Sequence, residues 1–219
     1  MNFNTKRLTT TAMMLAVATV LALVCAYIPF LNLPFGGGFT VASMLPIVVI
    51  SYMYGVKWGV FSGFVYSIIQ LLLGHSTVMA LFTPASDEFQ GIGAAIAICL
   101  LDYVLAYTAL GLGGIFRNRF ENKAKALVLG VVLALGIRYL CHIVSGCIFY
   151  GMWAEWFFSQ DGFPLGAQIL DTFSGFGLSL FYSIVYNGLF MLPEIVITAV
   201  AAIPAARIRY IKKSDAPAK

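Results

Sequence analysis

Charged residues are scarce in this chain of 219 amino acids: Asp, Glu, Lys and Arg make up only 10%, whereas 61% of the residues are apolar. Soluble globular domains have roughly 25% charged residues. The shortage of charge therefore excludes an ordinary soluble domain and indicates a membrane protein. The net charge of +4 is small and comes from loops on one side of the predicted bundle, so it predicts no nucleic-acid partner.

Reactive and metal-binding patterns are also missing. The Walker spacing GxxxxGK[ST] and the HExxH motif are both absent, and no nucleophile and base stand at a recognisable spacing. We therefore predict no ATP hydrolysis, no catalytic residue, no metal and no cofactor. The four cysteines form no CxxC pair and lie within or beside apolar runs, so we interpret them as small hydrophobic residues: Cys25, Cys99, Cys141 and Cys147.

Long apolar runs, in contrast, are abundant. Six windows are near the length that crosses about 30 Å of hydrocarbon, and they cover residues 8–28, 40–56, 58–73, 91–116, 126–149 and 180–206. Little of the chain is left for a soluble domain. We predict an all-α membrane protein with a single domain, residues 1–219, built as a bundle of six transmembrane helices.

The basic residues predict the orientation of this bundle. If the N-terminus is inside, every Lys and Arg except Arg138 falls on the same side of the membrane. Cytoplasmic loops are enriched in Lys and Arg, so both termini are predicted to be cytoplasmic.

Three ionisable residues are predicted to lie within the membrane: Asp102, Arg138 and His142. Such residues are costly in hydrocarbon and mark functional sites. Counting residues along the spans places Asp102 and Arg138 at a similar depth, so we predict that they pair. The pair could instead be an internal salt bridge that only fixes helix packing. His142 lies one turn from Arg138, on the same helical face.

The sixth span contains the sequence "FYSIVYNGLF", in which Tyr182 and Asn187 are candidate site residues. The Asn187 amide should face the bundle, because its burial in lipid would be unfavourable. Tyr186 is interpreted as a membrane-boundary residue. In the first outer loop, the glycine run 36–38 could be the hinge of a lid or a simple connector.

Four stretches carry a resemblance to a known family: "GHSTVMALF", "LDYVLAYTALGLGGIFRNR", "IRYLCHIVSGCIFYGMW" and "YSIVYNG". The chain resembles the thiamine-specific substrate-binding subunits (S components) of energy-coupling-factor (ECF) vitamin transporters. The resemblance is strongest in the C-terminal half. It implies a six-helix bundle that binds thiamine near the outer surface, closed by the loop after the first helix. The implied ligand-binding residues are Asp102, Tyr103, Arg138, His142, Tyr150, Tyr182 and Asn187.

The sequence departs from the family pattern at several of these positions. Asp102 replaces a Glu, Arg138 a Lys and Tyr150 a Trp, and the family's lid Trp has only Phe35 or Phe39 as a counterpart. The segment 76–91 is also longer. The site still offers what thiamine requires: a carboxylate and aromatic faces for its cationic thiazolium, and an amide for its aminopyrimidine.

The resemblance also implies partners. An S component delivers its vitamin through a transmembrane coupling subunit that carries two ATPase subunits. In the first span, Ala12 and Ala16 lie one turn apart, a small-xxx-small pattern that lets membrane helices approach closely. This pattern resembles the family's docking motif, although it could equally serve packing within the bundle.

Three other functions stay open at this point. The chain could be an S component for another heteroaromatic vitamin or precursor, such as riboflavin or hydroxymethylpyrimidine. It could be a membrane-embedded enzyme that uses His142 and Asp102 as base and orienting group. It could also be a purely structural membrane protein, in which Asp102 and Arg138 matter for folding alone.

Overall fold

The computed structural model describes residues 3–32, 38–161 and 163–211, and the fold is all-helical. Within these residues the only β-contact is a single bridge between Asn32 and Gly38. The α-helices are α1 (Phe3–Ala26), α2 (Leu45–Tyr54), α3 (Val56–Leu73), α4 (His75–Phe82), α5 (Ile92–Ile98), α6 (Ala106–Thr108), α7 (Lys123–Phe149), α8 (Ala154–Phe158), α9 (Gly166–Thr172) and α10 (Gly175–Arg207).

Five segments in the described part of the chain are long and apolar enough to cross a membrane: Asn4–Ala26, Val56–Leu73, Ile92–Gly114, Lys123–Phe149 and Gly175–Arg207. They correspond to the first, third, fourth, fifth and sixth predicted spans. Their bounds differ from the predicted ones by a few residues. The sequence pattern therefore located most of the helical bundle.

The second predicted span, 40–56, is not one continuous helix. Only Leu45–Tyr54 is helical, and ten residues rise about 15 Å, half the thickness of the hydrocarbon. The described residues before it, 38–44, are irregular. At the other end, Gly55 with φ of 93° connects α2 directly to α3, a conformation that favours glycine.

The fourth span changes its helical type along its length. After α5, residues Cys99–Leu105 form a π-helix, α6 follows, and Ala109–Gly114 form a 3-10 helix. Glycines allow the 3-10 part to pack closely. A Cβ on Gly111 would lie 2.2 Å from the Val60 backbone nitrogen, and one on Gly130 would lie 2.0 Å from the Gly113 oxygen. This end of the bundle is therefore tightly packed.

The beginning of α1 and the end of α10 meet at that end of the molecule. Thr10 Oγ1 and the Tyr210 hydroxyl are 2.9 Å apart, and the Lys123 ammonium donates to the Ile208 carbonyl at 3.1 Å. The Arg7 guanidinium lies 4.0 Å from the centre of the Trp58 ring. Basic residues of α1 and α7 are thus gathered at one end of the bundle.

Candidate functional site

A cavity of about 170 Å³ lies inside the bundle, between α4, the fourth span, α7 and α10. All seven residues predicted to bind the ligand line it. The full lining is Gly38, Thr77, Leu81, Ile98, Asp102, Tyr103, Tyr107, Arg138, His142, Gly146, Tyr150, Tyr182, Tyr186, Asn187 and Phe190.

Asp102 forms the polar centre of this cavity together with two residues of α7. His142 Nδ1 lies 2.7 Å from Asp102 Oδ1, and Ser145 Oγ donates to Asp102 Oδ2 at 2.5 Å. Because a carboxylate oxygen accepts, the imidazole donates through Nδ1. The buried Nε2 of His142 has no hydrogen-bond partner among the described residues, and His142 itself lines the cavity.

The predicted pairing of Asp102 with Arg138 is wrong. No nitrogen–oxygen contact within 4 Å joins them. The Arg138 guanidinium instead donates to Met44 Sδ at 2.8 Å and to the Tyr107 hydroxyl at 3.2 Å, with its centre 4.5 Å from that of the Tyr107 ring. Arg138 is only 5% exposed. Depth in the membrane alone could not show whether Arg138 or His142 is the partner of Asp102. The orientation of the helices brings His142 to it.

The π-helix explains how the fourth span supplies two neighbouring residues to one cavity. Asp102 and Tyr103 lie in the middle of Cys99–Leu105, and both side chains line the wall. A π-turn closes i→i+5 hydrogen bonds and is frequently found at functional sites. The sequence pattern predicted the fourth span but contained no signal for the π-helix within it.

Asn187 is 7% exposed and faces the bundle, as predicted. Its amide nitrogen donates to the His142 carbonyl at 3.2 Å, to the Ser183 carbonyl at 2.8 Å and to Ser183 Oγ at 3.1 Å. Asn187 thus ties α10 to α7 next to the His142 side chain. Its amide oxygen has no hydrogen bond to the described residues and is a candidate acceptor for a ligand.

Aromatic rings of α10 form a continuous wall. Tyr182 and Tyr186 are stacked with their ring centres 5.6 Å apart, and Tyr186 packs edge-on against Phe190 at 6.4 Å. Phe157 of α8 packs on both tyrosines. The interpretation of Tyr186 as a membrane-boundary residue is wrong, because its side chain is 8% exposed and lines the cavity.

Sequence reasoning also missed other wall residues. Tyr107 and Phe190 each lie four residues after a wall residue, Tyr103 and Tyr186 respectively, so helical spacing could have identified them. Thr77 and Leu81 belong to α4, which overlaps the segment 76–91 that the sequence analysis expected to be longer than in the family. This segment therefore contributes to the cavity wall.

The predicted hinge falls only partly within the described residues. Gly36, Gly37 and Phe35 lie outside them. Gly38 lines the cavity, and the Phe39 backbone nitrogen donates to the Leu31 carbonyl at 3.0 Å. The Phe39 side chain packs against the hydrophobic core and does not line the cavity.

The arrangement is suited to holding a small aromatic ligand. It combines a partly buried carboxylate, an imidazole and an amide oxygen with the faces of several aromatic rings. An apolar cavity with a few convergent polar groups is the usual form of a small-molecule site. Fold and cavity together define a multi-pass membrane protein with an internal site of small-molecule size.

Comparison with known proteins identifies the family. Residues 8–159 match the model of the family described as "Thiamine transporter protein (Thia_YuaJ)". The chain is 30% identical over 203 residues to the thiamine transporter ThiT of Bacillus subtilis, covering 89% of this chain and 86% of that protein. ThiT of Lacticaseibacillus paracasei is 27% identical over 123 residues, 51% of this chain and 54% of that protein.

A solved structure described as ThiT from Listeria monocytogenes has the same fold. It superposes with a TM-score of 0.61 at 22% sequence identity, covering 94% of this chain and 95% of the other. The chain belongs to the thiamine transporter protein family and is a multi-pass protein of the bacterial cell membrane.

Proposed function

We propose that this chain is the thiamine-binding S component of an ECF-type importer, which captures thiamine at the outer face of the membrane. The observation that carries the proposal is the cavity itself. It is lined by the Asp102 carboxylate, the His142 imidazole, the Asn187 amide and a wall of aromatic rings. Membership of the thiamine transporter family supports it.

The chemistry of thiamine matches these groups. The fixed positive charge of the thiazolium is attracted to a carboxylate and to aromatic faces, especially where water is excluded. Asp102, Tyr103, Tyr150 and Tyr182 supply these groups. The aminopyrimidine both donates and accepts hydrogen bonds, which suits the Asn187 amide oxygen and the neighbouring Arg138.

The topology we propose has six crossings and cytoplasmic termini within the single domain 1–219. Five spans are long helices. The remaining crossing, the second along the chain, consists of α2 and the irregular residues before it. The contact between Thr10 and Tyr210 supports termini on the same side. Arg7 and Lys123 lie at that end as well, which favours the cytoplasm under the positive-inside rule.

Energy for transport is proposed to come from partners: a transmembrane coupling subunit and two ATPase subunits. We propose no catalytic activity for this chain itself. Ala12 and Ala16 are both exposed on α1, as a docking surface for another membrane helix would be. A close approach of helices through small residues stabilises such contacts.

Equilibrium binding to the purified chain tests the proposed ligand. We expect saturable binding of thiamine by calorimetry, with a change in intrinsic fluorescence, because Trp153 and Trp156 lie beside Phe157, which packs on the cavity tyrosines. Riboflavin and hydroxymethylpyrimidine serve as competitors. Clear binding of either one without any response to thiamine would contradict the assignment.

Substitution of the α1 face tests docking. Ala12→Trp or Ala16→Trp should leave thiamine affinity of the purified chain unchanged but abolish complex formation and uptake, because the bulky ring prevents close helix approach. Val132→Trp, on the exposed face of α7, is the matched control. Retention of uptake in both alanine variants would show that this face is not the docking surface.

A further inference from the structure

The second crossing contains an irregular segment in which only part of the backbone bonds to other backbone groups. Residues 38–44 are irregular and precede the ten-residue α2. Non-helical backbone at membrane depth persists only where protein buries it or where it lines a cavity. This segment does both, since Gly38 lines the cavity while Ser43 and Met44 are buried.

Glu194 of α10 supplies hydrogen bonds to Thr40, in the middle of this segment. Its carboxylate accepts from the Thr40 backbone nitrogen through Oε2 and from the Thr40 hydroxyl, which is 2.9 Å from both carboxylate oxygens. Thr198, one turn further along α10, donates to Oε1 at 3.3 Å. Glu194 is 1% exposed, so water does not compete for these bonds.

Glu194 lies at membrane depth rather than near a helix end. It is thirteen residues before Arg207, the last residue of α10, which corresponds to about 20 Å along the helix. A carboxylate at such a depth is costly unless it has a function. None of the binding chemistry described above uses it, because Glu194 does not line the cavity.

The anchored segment contacts the cavity at two points. Gly38, two residues before Thr40, forms part of the wall, and Met44, four residues after it, accepts the hydrogen bond from Arg138. Ser43 Oγ lies 2.5 Å from Thr40 Oγ1 and extends the anchor toward α2. A displacement of Thr40 would therefore move Gly38 in the cavity wall and Met44, the hydrogen-bond partner of the buried Arg138.

The segment also carries local strain. Ala42 has φ of 58°, in the left-handed region that residues with a Cβ rarely occupy. Such a conformation persists only when surrounding contacts hold it. The bonds of Thr40 to Glu194 and of the Val41 nitrogen to Cys25 Sγ, at 3.3 Å, are the contacts on its N-terminal side.

We infer that Glu194 is a positioning residue for the cavity: it fixes the irregular segment 38–44 through Thr40 and thereby holds the Gly38 wall and the Met44–Arg138 contact in place. The inference rests on the proposed thiamine-binding function for its effect on ligand. Its structural part, the anchoring of the segment, does not depend on any ligand.

A ligand-free measurement tests the anchor. In a background with Cys99, Cys141 and Cys147 changed to Ala, Cys25 is the one remaining thiol, buried beneath Val41. Glu194→Gln keeps the volume but puts an amide donor against the Thr40 donors, so maleimide labelling of Cys25 should become at least about tenfold faster. Glu155→Gln, an exposed glutamate of α8, is the control. Unchanged labelling in folded Glu194→Gln protein overturns the anchor.

A milder variant covers the case in which Glu194→Gln fails to fold. Thr40→Val removes the hydroxyl donor and keeps the backbone donor, so labelling should rise by a smaller factor. Thr19→Val, which removes a hydroxyl that donates to its own helix at 2.8 Å, is the matched control. Equal labelling rates in the Thr40 and Thr19 variants overturn the anchor without reference to Glu194→Gln.

Thiamine kinetics test the positioning role. We expect about tenfold faster thiamine dissociation in Glu194→Gln with an association rate close to that of the unchanged protein. Thr40→Val combined with Glu194→Gln should dissociate no faster than Glu194→Gln alone, because both changes act on one contact. Additive effects, or faster labelling with unchanged dissociation, overturn the positioning role. Absence of thiamine binding in the unchanged protein overturns the proposed function instead. The maleimide labelling of Cys25 then still tests whether Glu194 anchors the segment.

Discussion

Two walls of the cavity are built in different ways. One consists of α7 and α10, two long regular helices that bring His142, Tyr182 and Asn187 to the site. The other is the irregular segment 38–44, which reaches the cavity through Gly38 and is held by Glu194.

The difference lies in where each wall finds its hydrogen bonds. A helix satisfies its own backbone, so its side chains are free to face a ligand or to bond across the interface, as Asn187 does with the His142 carbonyl. The irregular wall must take a side chain from another helix to satisfy its backbone. The helical wall should therefore be sensitive to crowding, and the irregular wall to loss of its anchor.

The largest effect is expected at the centre of the helical wall. Asp102→Asn keeps the shape of the side chain but removes the charge next to the His142 imidazole, which we propose also faces the thiazolium, so thiamine affinity should fall by about 2 kcal/mol or more. Calorimetry on the purified chain measures this loss. An affinity within a factor of two of the unchanged protein would contradict a direct role for Asp102.

A double-mutant cycle sharpens the same point. Asp102 contacts His142 but not Arg138, so Asp102→Asn and His142→Gln should be strongly non-additive in thiamine affinity. Asp102→Asn and Arg138→Gln should be closer to additive. The reverse order of coupling would favour the direct carboxylate–guanidinium pair that the sequence predicted.

Crowding of the helical wall should have the next largest effect. A Cβ on Gly146 would lie 2.3 Å from Ser183 Oγ and 2.9 Å from Asn187 Nδ2. Gly146→Ala should lower the stability by about 1–3 kcal/mol, as overpacking generally does, and thermal unfolding in detergent measures it. Gly136→Ala, on the same helix with open space around its Cβ, should be neutral or slightly stabilising. Equal stability of the two variants would contradict this packing.

The smallest effect is expected in the irregular wall. Because Ala42 has a positive φ, Ala42→Gly should relieve local strain and leave the protein unchanged or more stable by up to about 1 kcal/mol. Ala134→Gly, in the buried part of α7, should instead be destabilising. A similar loss in both variants, measured by thermal unfolding, would show that Ala42 is not strained.

Much of the fold could be predicted from the sequence because a membrane helix must be both apolar and about 20 residues long. The third and fifth spans were predicted within a few residues of Val56–Leu73 and Lys123–Phe149. The sequence could not show that the second span is helical only from Leu45 onward, because an apolar run has the same composition whether its first residues are helical or irregular. The π-helix of the fourth span was missed for a similar reason.

The candidate site was predictable as a set of residues but not as a set of contacts. All seven predicted residues line one cavity, although their binding role stays a prediction. Asp102, Arg138, His142 and Asn187 were recognisable because polar side chains in apolar spans are rare and costly. Tyr103 and Tyr150 were predicted only through the family resemblance. The partner of Asp102 could not be predicted in the same way. Arg138 and His142 lie one turn apart, and only the relative rotation of two helices selects between them.

The amino-acid sequence was enough to identify a helical membrane protein and to place Asp102, Arg138, His142 and Asn187 inside it, because lipid penalises every exposed polar group. The sequence analysis missed the buried Glu194, and the three-dimensional packing was needed to show that Asp102 bonds to His142, that Tyr186 lines the cavity, and that Glu194 bonds to Thr40. These contacts join residues 40 to 154 positions apart. No local pattern encodes such distances, and the packing angles of the helices set them.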